Sequence, residues 1–191
     1  VWLGPNLHLV SYPVRAGEWL NVVMFVHGKP PADVQEWDHA GLRADVLAAL
    51  DGHCPALTAL VEAVPAWRLW ALCDRPPVLS PEQMVRGRVA LLGDAAHPMR
   101  PYLAQGAGMA IEDAAELGRC LARVSRPHAD VPLALRRYAL NRWQRNARVQ
   151  ARAVRNGQIF HATGPLRLAR DWSLKLLGHR LLDMPWLYAG S

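Results

Sequence analysis

Cysteine is scarce: Cys54, Cys73 and Cys120 are the whole set. Their number is odd, their spacings are wide, and no CxxC or Cys/His pattern accompanies them. That excludes a disulfide framework and a structural zinc site, and we expect no metal. A reducing cytoplasm is the natural setting for such a chain. No apolar run approaches the roughly 18 residues of a membrane-spanning helix, and no signal-peptide pattern opens the chain. Internal repeats and low-complexity tracts are missing. So is any Ser/His/Asp arrangement of the hydrolase type. The first residue is Val1 rather than methionine, so we expect coding sequence upstream and read the chain as a fragment.

What is present is enough for a core. The 191 residues are 51% hydrophobic and 20% charged, which suits one domain, or one and a part. The net charge of +6 is local. Arg136, Arg137, Arg142, Arg145, Arg148, Arg152 and Arg155 follow one another with no acid between them. Two readings of this stretch compete. It grips phosphates as a nucleic-acid-binding module, or it is a solvated helix face with ion pairs to an N-terminal half outside this chain. The arginines are spread around the helix and no aromatic platform accompanies them, so we expect no nucleic-acid partner.

Periodicity gives the elements. Leu7 to Val14 alternates, Arg15-Ala16-Gly17 turns, and Trp19 to Val26 is dense in apolar and β-branched residues. Together they predict an antiparallel hairpin. Ala40 to Leu50 has helical spacing, and Pro55 to Ala63 predicts a second helix with proline at its start. Ala66 to Leu72 reads as extended. Val89 to Leu92 is a short continuous apolar run, which predicts a strand covered on both faces of a parallel sheet. A helix is expected from Gly106, with Ala107, Ala110, Ile111, Ala114, Leu117 and Leu121 as its apolar face. Its acids, Glu112, Asp113 and Glu116, suit the early turns. Pro132 is expected to open a long helix over 133–156, and 171–182 a further amphipathic one. Leu174, Leu177, Leu181, Leu182, Trp186 and Leu187 would pack on the body or a partner, or rest on a membrane surface.

The informative stretch is Arg88 to Ala115, RVALLGDAAHPMRPYLAQGAGMAIEDAA. A strand delivers Asp94 to a loop at its carboxyl end, where open α/β sheets bind ligands. Pro98 and Pro101 stiffen that loop. It ends in Gly106-Ala107-Gly108 at a helix start, where small residues let a ligand approach free backbone N–H groups and the partial positive charge suits an anion or an electron-rich ring. Taken alone, the same features also fit a turn-forming Asp94 and glycines placed for close packing.

Gly93-Asp94-Ala95-Ala96-His97-Pro98, Pro101 and Ala104 to Ala114 resemble the second FAD-binding motif of the group A flavoprotein monooxygenases, the FAD-dependent aromatic hydroxylases. Residues 8–24 and the Leu135 to Tyr138 and Arg148 to Gln150 segments are similar to the salicylate-hydroxylase-like branch. The resemblance covers the C-terminal half of a family member. It implies a mixed α/β fold, with part of a three-layer FAD/NAD(P)-binding domain and part of an antiparallel substrate-binding sheet. It implies FAD as cofactor, NADH or NADPH as co-substrate, and oxygen and a phenolic aromatic as substrates, with hydroxylation through a flavin C4a-hydroperoxide. A homodimer is consistent with it.

By the same resemblance, Gly93, Asp94, Pro101, Gly106, Ala107 and Gly108 bind the cofactor, and Pro101 lies at the reacting edge. His8, Tyr12 and Tyr102 are candidate substrate contacts. His8 is a candidate base, and ordinary sheet packing is the alternative for it and for Tyr12. His97 is expected to order the loop. Residues 1–75 would be the substrate-side part, 76–125 the cofactor motif, and 126–191 C-terminal helices. The family's N-terminal GxGxxG segment has no counterpart here. Alone, the chain is expected to bind FAD weakly or not at all and to be inactive. A non-catalytic remnant is the alternative.

Overall fold

The computed structural model describes residues 1–50, 54–124, 127–181 and 183–188. The fold is mixed α/β, with helices dominating and small antiparallel sheets. It divides into two compact units. One comprises Val1–Leu72 with Gln158–Met184, the other Cys73–Gly157 with Pro185–Ser191.

In the first unit, β1 (Trp2–Gly4), β2 (Leu7–Val14) and β3 (Trp19–Val26) form a sheet in that order. The β2–β3 pair is the expected antiparallel hairpin, with Leu7 opposite Val26 and Val14 opposite Trp19. Its turn places Arg15, Ala16 and Gly17 all at positive φ, a geometry only the glycine adopts without strain. A short strand β4 (His39–Gly41) pairs with β5 (Trp67–Leu69). The helix expected from Ala40 therefore starts later, as α1 (Arg43–Ala49), because residues 39–41 are drawn into that ladder. Helix α2 (Pro55–Ala63) has its expected bounds, with proline in the first turn, where a missing N–H costs nothing. Leu7 and Leu9 pack with Leu50, Leu57 and Val61 as the core.

In the second unit, β6 (Val85–Arg86) and β7 (Val89–Ala90) form a two-residue antiparallel hairpin. This corrects the expectation of a strand buried on both faces. Val89 is 63% exposed, and Leu91 and Leu92 are also exposed. An apolar run signals that burial is favourable, but it does not supply the covering layer.

Helix α3 (Gly106–Leu121) begins where expected, but the wrong face was expected to be buried. Met109, Asp113, Glu116 and Cys120 point inward, while Ile111 is 70% exposed. Helix α4 (Pro127–Phe160) is longer than expected, and Pro132 sits inside it rather than opening it. Pro132 is the sixth residue of this helix, past the first-turn N–H groups that lack intrahelical partners, so it removes one backbone bond of the helix. Helix α5 (Gly164–Leu177) starts before the tail helix expected over 171–182 and overlaps it over 171–177, and α6 (Pro185–Tyr188) follows. Leu182 lies outside the described residues. No helix among the described residues is long and apolar enough to cross a membrane. Cys54, Cys73 and Cys120 are not disulfide-bonded.

Candidate functional site

The loop between β7 and α3 is held by polar anchors from below. Gly93 has φ +56°, and a Cβ there would lie 3.1 Å from Ala110 Cβ, so only glycine lets the turn Gly93–Ala95 sit on α3. The amides of Ala96 and His97 both donate to the Gly93 carbonyl at 2.9 Å. Arg75 Nη1 donates to the Ala96 carbonyl at 3.2 Å. On α4, Gln150 Nε2 donates to the Pro98 carbonyl at 3.0 Å, and Asn156 Nδ2 to the Tyr102 carbonyl at 3.2 Å. The Tyr102 ring lies against Gly157, where a Cβ would come within 2.5 Å of a ring carbon. Prolines 98 and 101 limit the backbone between these anchors. Pro101 itself is exposed, so the loop presents its outer side to solvent.

Asp113 is the hub of the anchoring. Its Oδ2 receives the Gly93 amide at 3.1 Å and meets His97 Nε2 at 2.5 Å. Its Oδ1 accepts from Arg142 Nε at 2.8 Å and from Asn146 Nδ2 at 3.1 Å. Burial alone would raise this carboxyl. The bonds from His97, Arg142, Asn146 and Gly93 outweigh it and hold the group at about 2. Neighbouring Glu112 pairs with Arg145 in a two-point fork, at 2.6 and 2.7 Å, and those bonds pull its carboxyl down despite the opposing effect of burial. Arg145 also donates to the carbonyls of Trp186 and Leu187, fastening α6. Arg148 stacks on Trp186, its guanidinium carbon 4.0 Å from the ring centroid.

These contacts correct the sequence reading of the arginines. Arg142 and Arg145 pair with acids of α3 within this chain. The signal was present in the sequence: Asp113 and Glu116 fall on one face with Met109 and Cys120, opposite arginines spaced i, i+3. Apolar periodicity outweighed it.

Above the anchors the loop is open. Asp94 is exposed, and its Oδ1 lies 4.0 Å from where a Gly106 Cβ would be, so the carboxylate stands beside the start of α3. The first backbone pairing of that helix start is Met109 N–H to the Gln105 carbonyl at 2.9 Å. Among the described residues, no backbone carbonyl accepts from the amides of Gly106, Ala107 or Gly108. Three donors at the positive end of a 16-residue helix thus stand next to a carboxylate. The missing Cβ at Gly106 keeps the space between them clear. This donor set fits a flavin, with main-chain N–H groups for an electron-poor ring and a carboxylate for hydroxyls.

The remaining candidates lie in the other unit. Tyr12 is exposed, and its hydroxyl accepts from Asn21 Nδ2 at 2.7 Å. His8 is buried, its ring stacked on Phe25 at 4.5 Å. Burial, with His161 and His27 nearby, lowers its imidazole to about 4. His161, which the sequence reading did not single out, lies between the other two. Its Nε2 is 2.6 Å from His8 Nδ1 and its Nδ1 is 2.9 Å from His27 Nε2. Nothing in the sequence pairs a residue just after α4 with two on a hairpin 134 or more positions away. Among the described residues no cluster of His, Cys, Asp or Glu is arranged to hold a metal ion.

Comparison with known proteins agrees with the motif. A family model described as an FAD binding domain matches residues 26–153, and the chain belongs to that family. The 3-hydroxybenzoate 6-hydroxylase of Polaromonas naphthalenivorans is 40% identical over 191 residues, covering 98% of this chain and 46% of that protein. Salicylate hydroxylase of Pseudomonas putida is 35% identical, covering 98% of this chain and 43% of its own length. Among solved structures, a salicylate hydroxylase substrate complex superposes with a TM-score of 0.82 at 28% identity, over 99% of this chain and 46% of that one. Klebsiella pneumoniae HpxO, complexed with FAD and uric acid, gives 0.72 at 28% identity, over 94% and 44%. The chain thus spans about half the length of these relatives.

Proposed function

We propose that this chain belongs to an FAD-dependent monooxygenase that consumes NAD(P)H and oxygen and hydroxylates a phenolic ring. The observation that carries the reading is the open start of α3, with its unpaired amides beside Asp94, in a chain of the FAD-binding family. The named activities of the relatives supply the reaction class.

Asp94 accepts hydrogen bonds from hydroxyls of the cofactor's ribityl and pyrophosphate side. The amides of Gly106, Ala107 and Gly108 donate to its ring, where the helix end also favours negative charge. Gly93 supplies the turn that places Asp94. Pro101 holds the loop beside the ring in one shape, so little order has to be gained on binding. When bound, FAD supplies the electron transfer from NAD(P)H and the activation of oxygen. On the substrate side we place Tyr12, Tyr102 and His8, with His8 taking the proton of the phenol. Residues 1–75 form the substrate-side part, and 76–125 the cofactor motif. The unpaired cysteines suit a cytoplasmic setting.

The test is expression of the complete reading frame. We expect a yellow protein whose NAD(P)H oxidation is stimulated by a hydroxybenzoate, with a hydroxylated product. A yellow protein that no phenol stimulates would contradict the substrate class. A colourless one that takes up no FAD would contradict the whole reading.

A further inference from the structure

Arg145, Arg148, Arg152 and Arg155 follow one another on α4 at steps of three, four and three residues, which puts them on one face of the helix. Arg145, at one end of the row, is taken up by Glu112 and by the Trp186 and Leu187 carbonyls. The other three are not taken up. Among the described residues no acid pairs with Arg148, Arg152 or Arg155, and none lies between them in the sequence. Like charges at i, i+4, as in Arg148 and Arg152, oppose helix formation. The row therefore weakens α4 and gains no counter-charge from this chain.

Its geometry is nonetheless prepared. Arg148 lies flat on Trp186, its guanidinium carbon 4.0 Å from the ring centroid. Stacking uses only the face of the guanidinium and leaves the in-plane N–H donors for another partner. Arg152 is half-buried, with its Nε withdrawn from solvent and without an acceptor. Packing rather than a counter-ion holds that group in place. Arg148 and Arg155 are exposed, so the row can be reached from solvent.

We infer that Arg148, Arg152 and Arg155 bind the phosphates of NAD(P)H. The inference rests on the NAD(P)H consumption proposed above and adds where the coenzyme docks. A lone carboxylate needs one guanidinium fork, whereas Arg148 to Arg155 covers about 10 Å of helix axis. That length suits an elongated polyanion, and guanidinium groups take phosphates two oxygens at a time. NADH and NADPH share the diphosphate, and NADPH adds a 2′-phosphate. The same two turns of α4 hold the cofactor loop, since Gln150 Nε2 donates to the Pro98 carbonyl and Asn156 Nδ2 to the Tyr102 carbonyl. A coenzyme on the row is thus held by the helix that positions the loop beside the ring it must reduce. Exposed cations also suit a reactant that arrives and leaves in each cycle. They draw an anion in from a distance, and solvent screening keeps the contact weak enough to release it.

The test uses flavin-loaded protein from the complete reading frame. NAD⁺ and NADP⁺ carry the same phosphates as the reduced forms but cannot reduce a flavin, so calorimetry reads docking apart from turnover. Arg148→Gln, Arg152→Gln and Arg155→Gln are each expected to weaken binding severalfold, and the triple variant by about tenfold or more. Inorganic pyrophosphate should compete in the wild type, and added salt should weaken wild-type binding more steeply than that of the triple variant. FAD content should stay unchanged, and Arg136→Gln, an exposed arginine off the row, should bind as wild type. In anaerobic rapid mixing with NADH and with NADPH, the variants should raise the coenzyme concentration needed for half-maximal flavin reduction and leave the limiting rate unchanged. Single variants that all bind both oxidised coenzymes as tightly as wild type would overturn the inference, whether or not the triple variant folds. So would variants that lose stability with coenzyme affinity intact, because the row would then serve acids elsewhere in the protein. A wild type that oxidises neither NADH nor NADPH sinks the proposed reaction instead. Calorimetry then decides the docking row separately: binding that depends on the arginines upholds it, and a wild type that binds neither NAD⁺ nor NADP⁺ overturns it.

Discussion

Arg142 Nε donates to Asp113 Oδ1 at 2.8 Å, with both side chains withdrawn from solvent. One carboxylate thereby joins α3, α4 and the Gly93 turn. Removing the arginine would leave a buried charge unpaired, which typically costs about 3–5 kcal/mol. Arg142→Ala is therefore expected to lower the urea midpoint sharply. A surface control such as Arg136→Ala should stay within about 0.5 kcal/mol. Equal effects of the two would contradict the hub.

The inward face of α3 makes a second prediction. Met109 is fully buried and Ile111 is exposed. Met109→Ala should cost about 2–5 kcal/mol, and Ile111→Ser should cost little in this chain. Thermal denaturation of the two variants separates the observed facing from the one that apolar periodicity suggests.

Gly157 is the seat of Tyr102. A Cβ at 157 would come 2.5 and 2.8 Å from two ring carbons, so the ring must move. Gly157→Ala is expected to cost about 1–3 kcal/mol. The penalty should shrink when Tyr102→Ala is combined with it, because the colliding ring is gone. Additive effects in that double-mutant cycle would contradict the contact.

Acid should act on the two units at different pH. His8 is lowered from 6.5 to about 4 in the fold, so between those values the unfolded chain binds the extra proton. Stability then falls as pH drops from 6.5 towards 4, by about 3 kcal/mol if this group acted alone. Asp113 is lowered from 3.8 to about 2, so its contribution is present above pH 3.8 and is lost as pH falls towards 2. That contribution is about 2 kcal/mol. His8→Phe should flatten the upper part of a stability-against-pH curve and leave the lower part.

Local chemistry was legible in the sequence, and tertiary facing was not. The β2–β3 hairpin, α2 and the start of α3 follow from alternation, an N-terminal proline and a glycine pair, all read within a few residues. The loop from Gly93 to Gly106 was legible as a stiffened segment ahead of a helix. What held it was not, because Asp113, Arg142, Gln150 and Asn156 lie up to 54 positions from the groups they bind. The α3 face was misread for a physical reason. A buried, hydrogen-bonded ion pair competes with apolar burial, and periodicity weighs only the latter. His161 carried no local signal, since its role depends on where a 34-residue helix ends.

Flavin affinity of the protein from the complete reading frame, wild type against Asp94→Ala, tests the central claim most directly. The wild type should hold FAD tightly. Loss of a charged hydrogen-bond acceptor should weaken binding by about tenfold or more, with the fold intact because Asp94 has no hydrogen-bonded role among the loop anchors. An Asp94→Ala protein that binds FAD as tightly as wild type would contradict the account.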